Sequence, residues 1–119
     1  MNYSVIIYET PDQFATRNDP ARKDAHFAAW MAYFERLGAA GIMRGGAGLM
    51  PPDTATTIKL RNGQRLVEDG PYADTKEQLG GVFMIEVPDL DTALDWAAQC
   101  PAVGDGVLEV RPNLPSMRT

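Results

Sequence analysis

The sequence predicts an α+β fold of ferredoxin-like order, β-α-β-β-α-β with an inserted β-hairpin. Three observations carry the prediction. Segments of strand period and segments of helix period follow one another in that order along the 119 residues. Asn62-Gly63, set between two β-rich runs, marks a tight hairpin that stands apart from that order. Tyr3–Tyr8 and Val82–Val87 are apolar on both faces, as suits the first and third core strands, which are central in such a sheet.

The first strand runs from Asn2 to Tyr8, with Tyr3, Val5 and Ile7 on one side and Ile6 and Tyr8 on the other. A polar connection follows from Glu9 to Asn18. Asp19-Pro20 then reads as an N-cap and first-turn pair opening a helix. That helix carries Phe27, Trp30, Phe34 and Leu37 at spacings of three and four, one apolar stripe, and Gly41 ends it. Ile42–Leu49 is a strand broken by glycines. Thr54–Leu60 and Arg65–Glu68 are the strands of the hairpin. Between Glu68 and Gln78 lies a polar loop. In it Asp69-Gly70-Pro71 is a turn, and Thr75–Leu79 is a short helical turn capped by Asp74 or Thr75. Val82–Val87 returns to the sheet. Pro88-Asp89 opens a second helix with Leu90, Ala93, Leu94, Ala97 and Ala98 on one side, and Val107–Arg111 is the last strand. One domain thus occupies residues 1–112, and residues 113–119 form a loose C-terminal tail.

A chain of this length buries roughly 65% of its unfolded surface, enough for a core without metal or disulfide. The formal net charge of −5 disfavours direct contact with nucleic acid or an anionic membrane surface. No apolar run is long enough to span a bilayer, and the N-terminus lacks the basic start of a secretory signal, so a cytoplasmic location is expected. The single cysteine, Cys100, excludes an internal disulfide and a cysteine-based zinc site. Followed by Pro101, it reads as a small buried residue at a helix end. Trp30 and Trp96 read as core or interface. No cofactor-binding motif is found. Two central strands without a polar face need cover on both sides, and the chain has no spare helix to supply it. A homodimer packed sheet to sheet is therefore expected.

Several residues are candidates for chemistry. The loop places Asp69, Tyr72, Asp74 and Lys76 close together, either as a capped turn or as groups facing a pocket. In the second case Asp69 and Tyr72 would serve as acid or base, while Asp74 and Lys76 hold substrate. The sole histidine, His26, lies off the apolar stripe, on a flank with Ala29, Tyr33 and Arg36. It is either a helix-surface or interface residue, or a general base. Arg44, Gly46 and Gly48 belong to a glycine-rich strand that lacks any phosphate-loop spacing. It forms a bulge or a close approach of two backbones, or else holds an anionic substrate group through Arg44. One histidine cannot build a His-rich metal site, and the loop lacks calcium-site spacing, so no metal is expected.

Gly46-x-Gly48-Leu49-x-Pro51, Thr54–Thr57, and Asp69-Gly70-Pro71-Tyr72-x-x-Thr75-Lys76-Glu77-x-x-Gly80-Gly81 occur in this order. Val87-Pro88-Asp89-Leu90, Cys100-Pro101 and Glu109-Val110-Arg111-Pro112 follow. The pattern resembles the DGPF-type branch of the YCII-related family, with Tyr72 where Phe is usual. The resemblance implies a dimeric α+β barrel and a cleft beside the dimer interface, where some members are proposed to use a His and an Asp. It also implies a gene often placed near an extracytoplasmic-function sigma factor. Asp69 maps onto the motif, whereas His26 lies against the least similar stretch, Glu9–Ala25. Two functions follow as expectations. One is a cofactor-free acid/base enzyme with a small-molecule cleft. The alternative is a regulatory or ligand-sensing module partnered by a sigma factor.

Overall fold

Along β1 (Asn2–Glu9) the side chains of Tyr3, Val5, Ile7 and Glu9 are buried, while Ser4, Ile6 and Tyr8 between them are only half-buried. This period of two sets the layering of the molecule. The structure, a computed structural model, describes residues 1–115. β1 is a central strand. It pairs antiparallel with β5 (Gln78–Glu86) on one side and β6 (Val107–Pro112) on the other, and β2 (Met43–Gly48) pairs with the outer edge of β5. The four-stranded sheet therefore has the order β2-β5-β1-β6. Among the described residues three α-helices complete the α+β chain: α1 (Pro11–Thr16), α2 (Lys23–Ala39) and α3 (Leu90–Ala97).

The core lies between one face of the sheet and the helices. Tyr33 and Leu37 of α2, with Ala93 and Ala97 of α3, meet Val5, Phe83 and Ile85 of the central strands. The Tyr33 hydroxyl donates to the Trp96 carbonyl at 2.7 Å and so ties α2 to α3. Cys100 is buried in the same cluster, and its surroundings push the thiol up to about 11. On the opposite face Ile6 stands beside Val82, and Ser4 beside Met84. All four are half-buried, and among the described residues no second layer covers them.

β3 (Thr56–Arg61) and β4 (Gln64–Asp69) form a separate two-stranded sheet. Asn62 and Gly63 sit at φ of 53° and 75°, the left-handed pair that a two-residue hairpin turn requires. At its base Gly70 donates to the Ala55 carbonyl at 2.7 Å, and the Thr57 hydroxyl donates to the Gly70 carbonyl at 2.8 Å.

Six details differ from the sequence reading. The connection after β1 contains α1, because Thr10 and Gln13 cap each other's backbone and Pro11 starts the turn. The Asp19-Pro20 pair does not open α2. The Asp19 carboxylate accepts from the Ala21 amide and the Arg22 side chain, closing a turn ahead of a helix that begins at Lys23. The inward stripe of α2 runs through His26, Trp30, Tyr33 and Leu37, so Phe27 and Phe34 flank it and stay exposed. On α3 only Ala93 and Ala97 are buried, while Leu90 and Leu94 face outward. No helical turn forms at Thr75–Leu79, because β5 already begins at Gln78. The expected loose tail starts with Asn113 tied to β1, its amide donating to the Asn2 carbonyl at 2.9 Å. Residues 116–119 of that tail lie outside the described residues.

Candidate active site

The inward alternation of β1 does not stop at an apolar residue. It continues to Glu9, a carboxylate only 2% exposed at the end of a central strand. Burying a charge there is unfavourable unless it is paired. Arg17, just past the C-terminus of α1, supplies the partner. Its Nη2 donates to Glu9 Oε1 at 2.8 Å and to the Gly80 carbonyl at 3.2 Å, and its Nη1 donates to the Leu49 carbonyl. The guanidinium also lies over the Phe14 ring, 4.9 Å from its centroid. One cation therefore holds together β1, the end of β2 and the start of β5.

Gly80 makes room for this arrangement. A Cβ at that position would overlap the Glu9 carboxylate. The second oxygen of Glu9 accepts no hydrogen bond from the described residues, yet it is not sealed off. Glu9 lines a cleft of about 590 Å³ between α2 and the β2–β5 edge of the sheet. Phe27, Trp30 and Phe34 wall the cleft on the helix side. Gly46 and Gly48 wall it on the other. Gly46 is needed for packing, since a Cβ there would stand 2.6 Å from the Val82 carbonyl oxygen, and its φ of 154° suits glycine. The register slips between Met43 and Gly45, which makes this the bulged, closely approaching strand that the glycines suggested.

His26 lies in the same cleft, on the inward stripe of α2. Its ring meets Phe27 edge-on at 5.1 Å and Trp30 at 6.5 Å between centroids. Burial among these rings holds its pKa below the usual imidazole value. Glu9 acts in the opposite sense, and Arg17 lowers the pKa a little further. The imidazole is thus neutral near pH 7 and free to accept a proton. Together with Glu9, it gives the cleft one proton-accepting group and a buried acid partnered by Arg17, against an aromatic wall.

Among the residues picked from the sequence, His26, Gly46 and Gly48 meet in this cleft and the others do not. Asp69 ends β4 and is exposed opposite Thr56. Tyr72 is 85% exposed and borders a smaller hollow with Pro71 and Met50. Asp74 and Lys76 are exposed in a loop that Gln78 fastens, its amide donating to the Ala73 and Thr75 carbonyls at 2.7 and 2.9 Å. The motif is therefore a fastened turn, with Gly70 at φ 98°, and neither Asp69 nor Tyr72 reaches His26 within this chain. Arg44 turns back on its own strand, donating at 3.0 Å to the Gly41 and Met43 carbonyls, and stands 3.7 Å from Glu86. Glu9 and Arg17 went unnoticed because they sit in a stretch that looks like a solvated connection. The available signal was an acid continuing the Tyr3-Val5-Ile7 alternation, with the Gly80-Gly81 pair in the partner strand.

Among the described residues no group of three or more His, Cys, Asp or Glu side chains gathers to hold a metal ion, and no helix is long and apolar enough to cross a membrane. Comparison with known proteins places this geometry in context. An uncharacterized protein of Rhizobium meliloti (strain 1021) is 41% identical over 116 residues, covering 94% of this chain and 91% of that one. A solved structure of 5-chloro-2-hydroxyhydroquinone dehydrochlorinase from Burkholderia phenoliruptrix AC1100, in complex with 2,5-dihydroxybenzoquinone, superposes with a TM-score of 0.56. That match covers 98% of this chain and 96% of the other at 18% identity, a likeness of fold. The model of the YCII-related domain matches residues 1–115, and the chain belongs to the YCII-related family.

Proposed function

We propose that the cleft binds a small planar molecule and that His26 acts on it as a general base, in acid/base chemistry that needs no cofactor. The observation that carries this reading is the pairing, in one aromatic-walled cleft, of a neutral half-buried imidazole with an unshared carboxylate oxygen. In the proposed reaction the imidazole takes a proton from the substrate. Glu9 favours the imidazolium so formed, and the proton returns to substrate or water in the second half of the cycle. Arg17 keeps Glu9 in place and touches the substrate only through it. The dehydrochlorinase of similar fold is an enzyme whose bound quinone is a flat ring, which supports an enzymatic reading and a planar ligand.

The strand order β2-β5-β1-β6 supports the ferredoxin-like reading of the fold. The uncovered Ile6, Tyr8, Val82 and Met84 support a homodimer whose two sheets stack as an α+β barrel. The motif from Asp69 to Gly81 supports assignment to the DGPF-type branch. The alternative of a sigma-factor partner draws no support from the cleft.

A panel of hydroxylated aromatic compounds tests the enzymatic reading. A compound that binds and is turned over should still bind His26→Gln, while turnover falls by about 10²–10⁴-fold. Unchanged turnover in that variant would remove His26 from the mechanism.

A further inference from the structure

The β3–β4 hairpin is an arm without a body. Ile58 stands opposite Val67, and Leu60 opposite Arg65, so Ile58, Leu60 and Val67 share one face with Arg65 near the tip and Asp69 at the base. They are 60%, 74% and 54% exposed. The two strands pack on each other and on no other element to a comparable extent. A lone two-stranded hairpin is marginal in water, so this apolar face needs a third layer. The radius of gyration, 16.3 Å, exceeds the ~13.5 Å of a compact chain of this length, as an outstretched arm requires.

We infer that the third layer is a second copy of this chain, with the arm of each copy lying across α3 of the other. The inference rests on the homodimer proposed above and adds where the two copies grip. Charge selects the surface. Between Ile58 and Val67 the chain carries Lys59, Arg61 and Arg65 and no acid, whereas between Glu77 and Val110 it carries seven acids and no base. Lys59 reaches Glu68 at 3.5 Å, but Arg61 and Arg65 reach no acid among the described residues. On α3, Leu90 and Leu94 are 47% and 46% exposed one turn apart, with Asp91 and Asp95 beside them. An apolar strip edged with acid thus faces outward on α3, while on the arm Arg65 stands within the apolar strip and Lys59 and Arg61 lie on the other face of the same narrow ribbon. In a two-fold pair the contact is made twice, which doubles the selection exerted by complementary charge.

Sedimentation equilibrium on charge-reversed variants tests the inference, with circular dichroism confirming that each is folded. The wild type should dimerise, less tightly at high salt. Arg61→Glu with Arg65→Glu should raise the dimer Kd at least tenfold, as should Asp91→Lys with Asp95→Lys. Combining all four should restore it to within a few-fold of wild type. A dimer whose Kd moves with neither pair, or is weakened by both and not rescued by the combination, overturns the arm contact and leaves the homodimer standing. A wild type that stays monomeric at every concentration overturns the homodimer and the arm contact with it.

Discussion

Two regions of this molecule invite chemistry, and they differ in what surrounds their polar groups. The loop from Asp69 to Gln78 has the denser set: three carboxylates, a phenol, a hydroxyl, an ammonium and an amide within ten residues. Nearly all of it is exposed, and its loop-fastening hydrogen bonds run back to its own carbonyls. The cleft under α2 has fewer groups, but Glu9 is buried, Arg17 spends three donations on it and its neighbours, and His26 is held neutral among aromatic rings. Water competes freely for the first set and is largely displaced from the second. Density along the chain marks where polar residues lie. Burial marks where their interactions are strong enough to shift protons.

The largest contrast should appear on exchanging one residue in each region. His26→Gln is expected to cost about 10²–10⁴-fold in turnover. Asp69→Asn and Tyr72→Phe, measured with the same substrate, should leave it within about twofold of wild type, because neither side chain borders the cleft. A loss in Asp69→Asn equal to that in His26→Gln would merge the two regions into one site.

Arg17→Met should destabilise the fold by about 3–5 kcal/mol in urea unfolding, since it strands a buried carboxylate. Lys76→Met, in the exposed loop, should stay within about 0.5 kcal/mol. Gly80→Ala comes next, at about 1–3 kcal/mol, because its methyl group forces Glu9 away from Arg17. Glu9→Ala in the Gly80→Ala background would show whether the strain acts through the carboxylate, because it removes the atoms the methyl would meet. Additive losses would say that it does not.

The pH profile gives the smallest of these effects. The folded chain holds His26 below the ordinary value of about 6.5, so over the window just beneath that value the unfolded chain binds more protons. Stability should therefore rise with pH through this window, and the rise should be missing in His26→Gln. The ascending limb of kcat/KM should likewise have its midpoint below about 6.5.

Much of the fold was legible because local chemistry fixed it. Asn62-Gly63 demanded a hairpin, Asp89 capped α3, and the period of two in Tyr3–Tyr8 assigned the faces of β1. The candidate site was legible only in part. His26 drew notice as a residue type, yet its direction depended on which side of α2 met the sheet, and the chain offers two apolar arcs there. Packing chose the arc through Tyr33 and Leu37, which turned His26 inward and left Phe27 and Phe34 as the cleft wall. Glu9 and Arg17 were hidden for another reason. A buried ion pair is a tertiary fact: the alternation of β1 points Glu9 inward, but nothing in the sequence of Glu9–Asn18 names Arg17 as its partner. The capping box of Thr10 and Gln13 was the one local clue that this stretch is ordered.

Chemical-shift mapping on isotope-labelled protein, titrated with a hydroxylated aromatic that binds, puts the choice between the two regions to trial. Perturbations centred on Glu9, His26, Gly46 and Gly80, with the resonances of Asp69 to Lys76 left in place, are the predicted result. Perturbations confined to Asp69 to Lys76 would contradict the account.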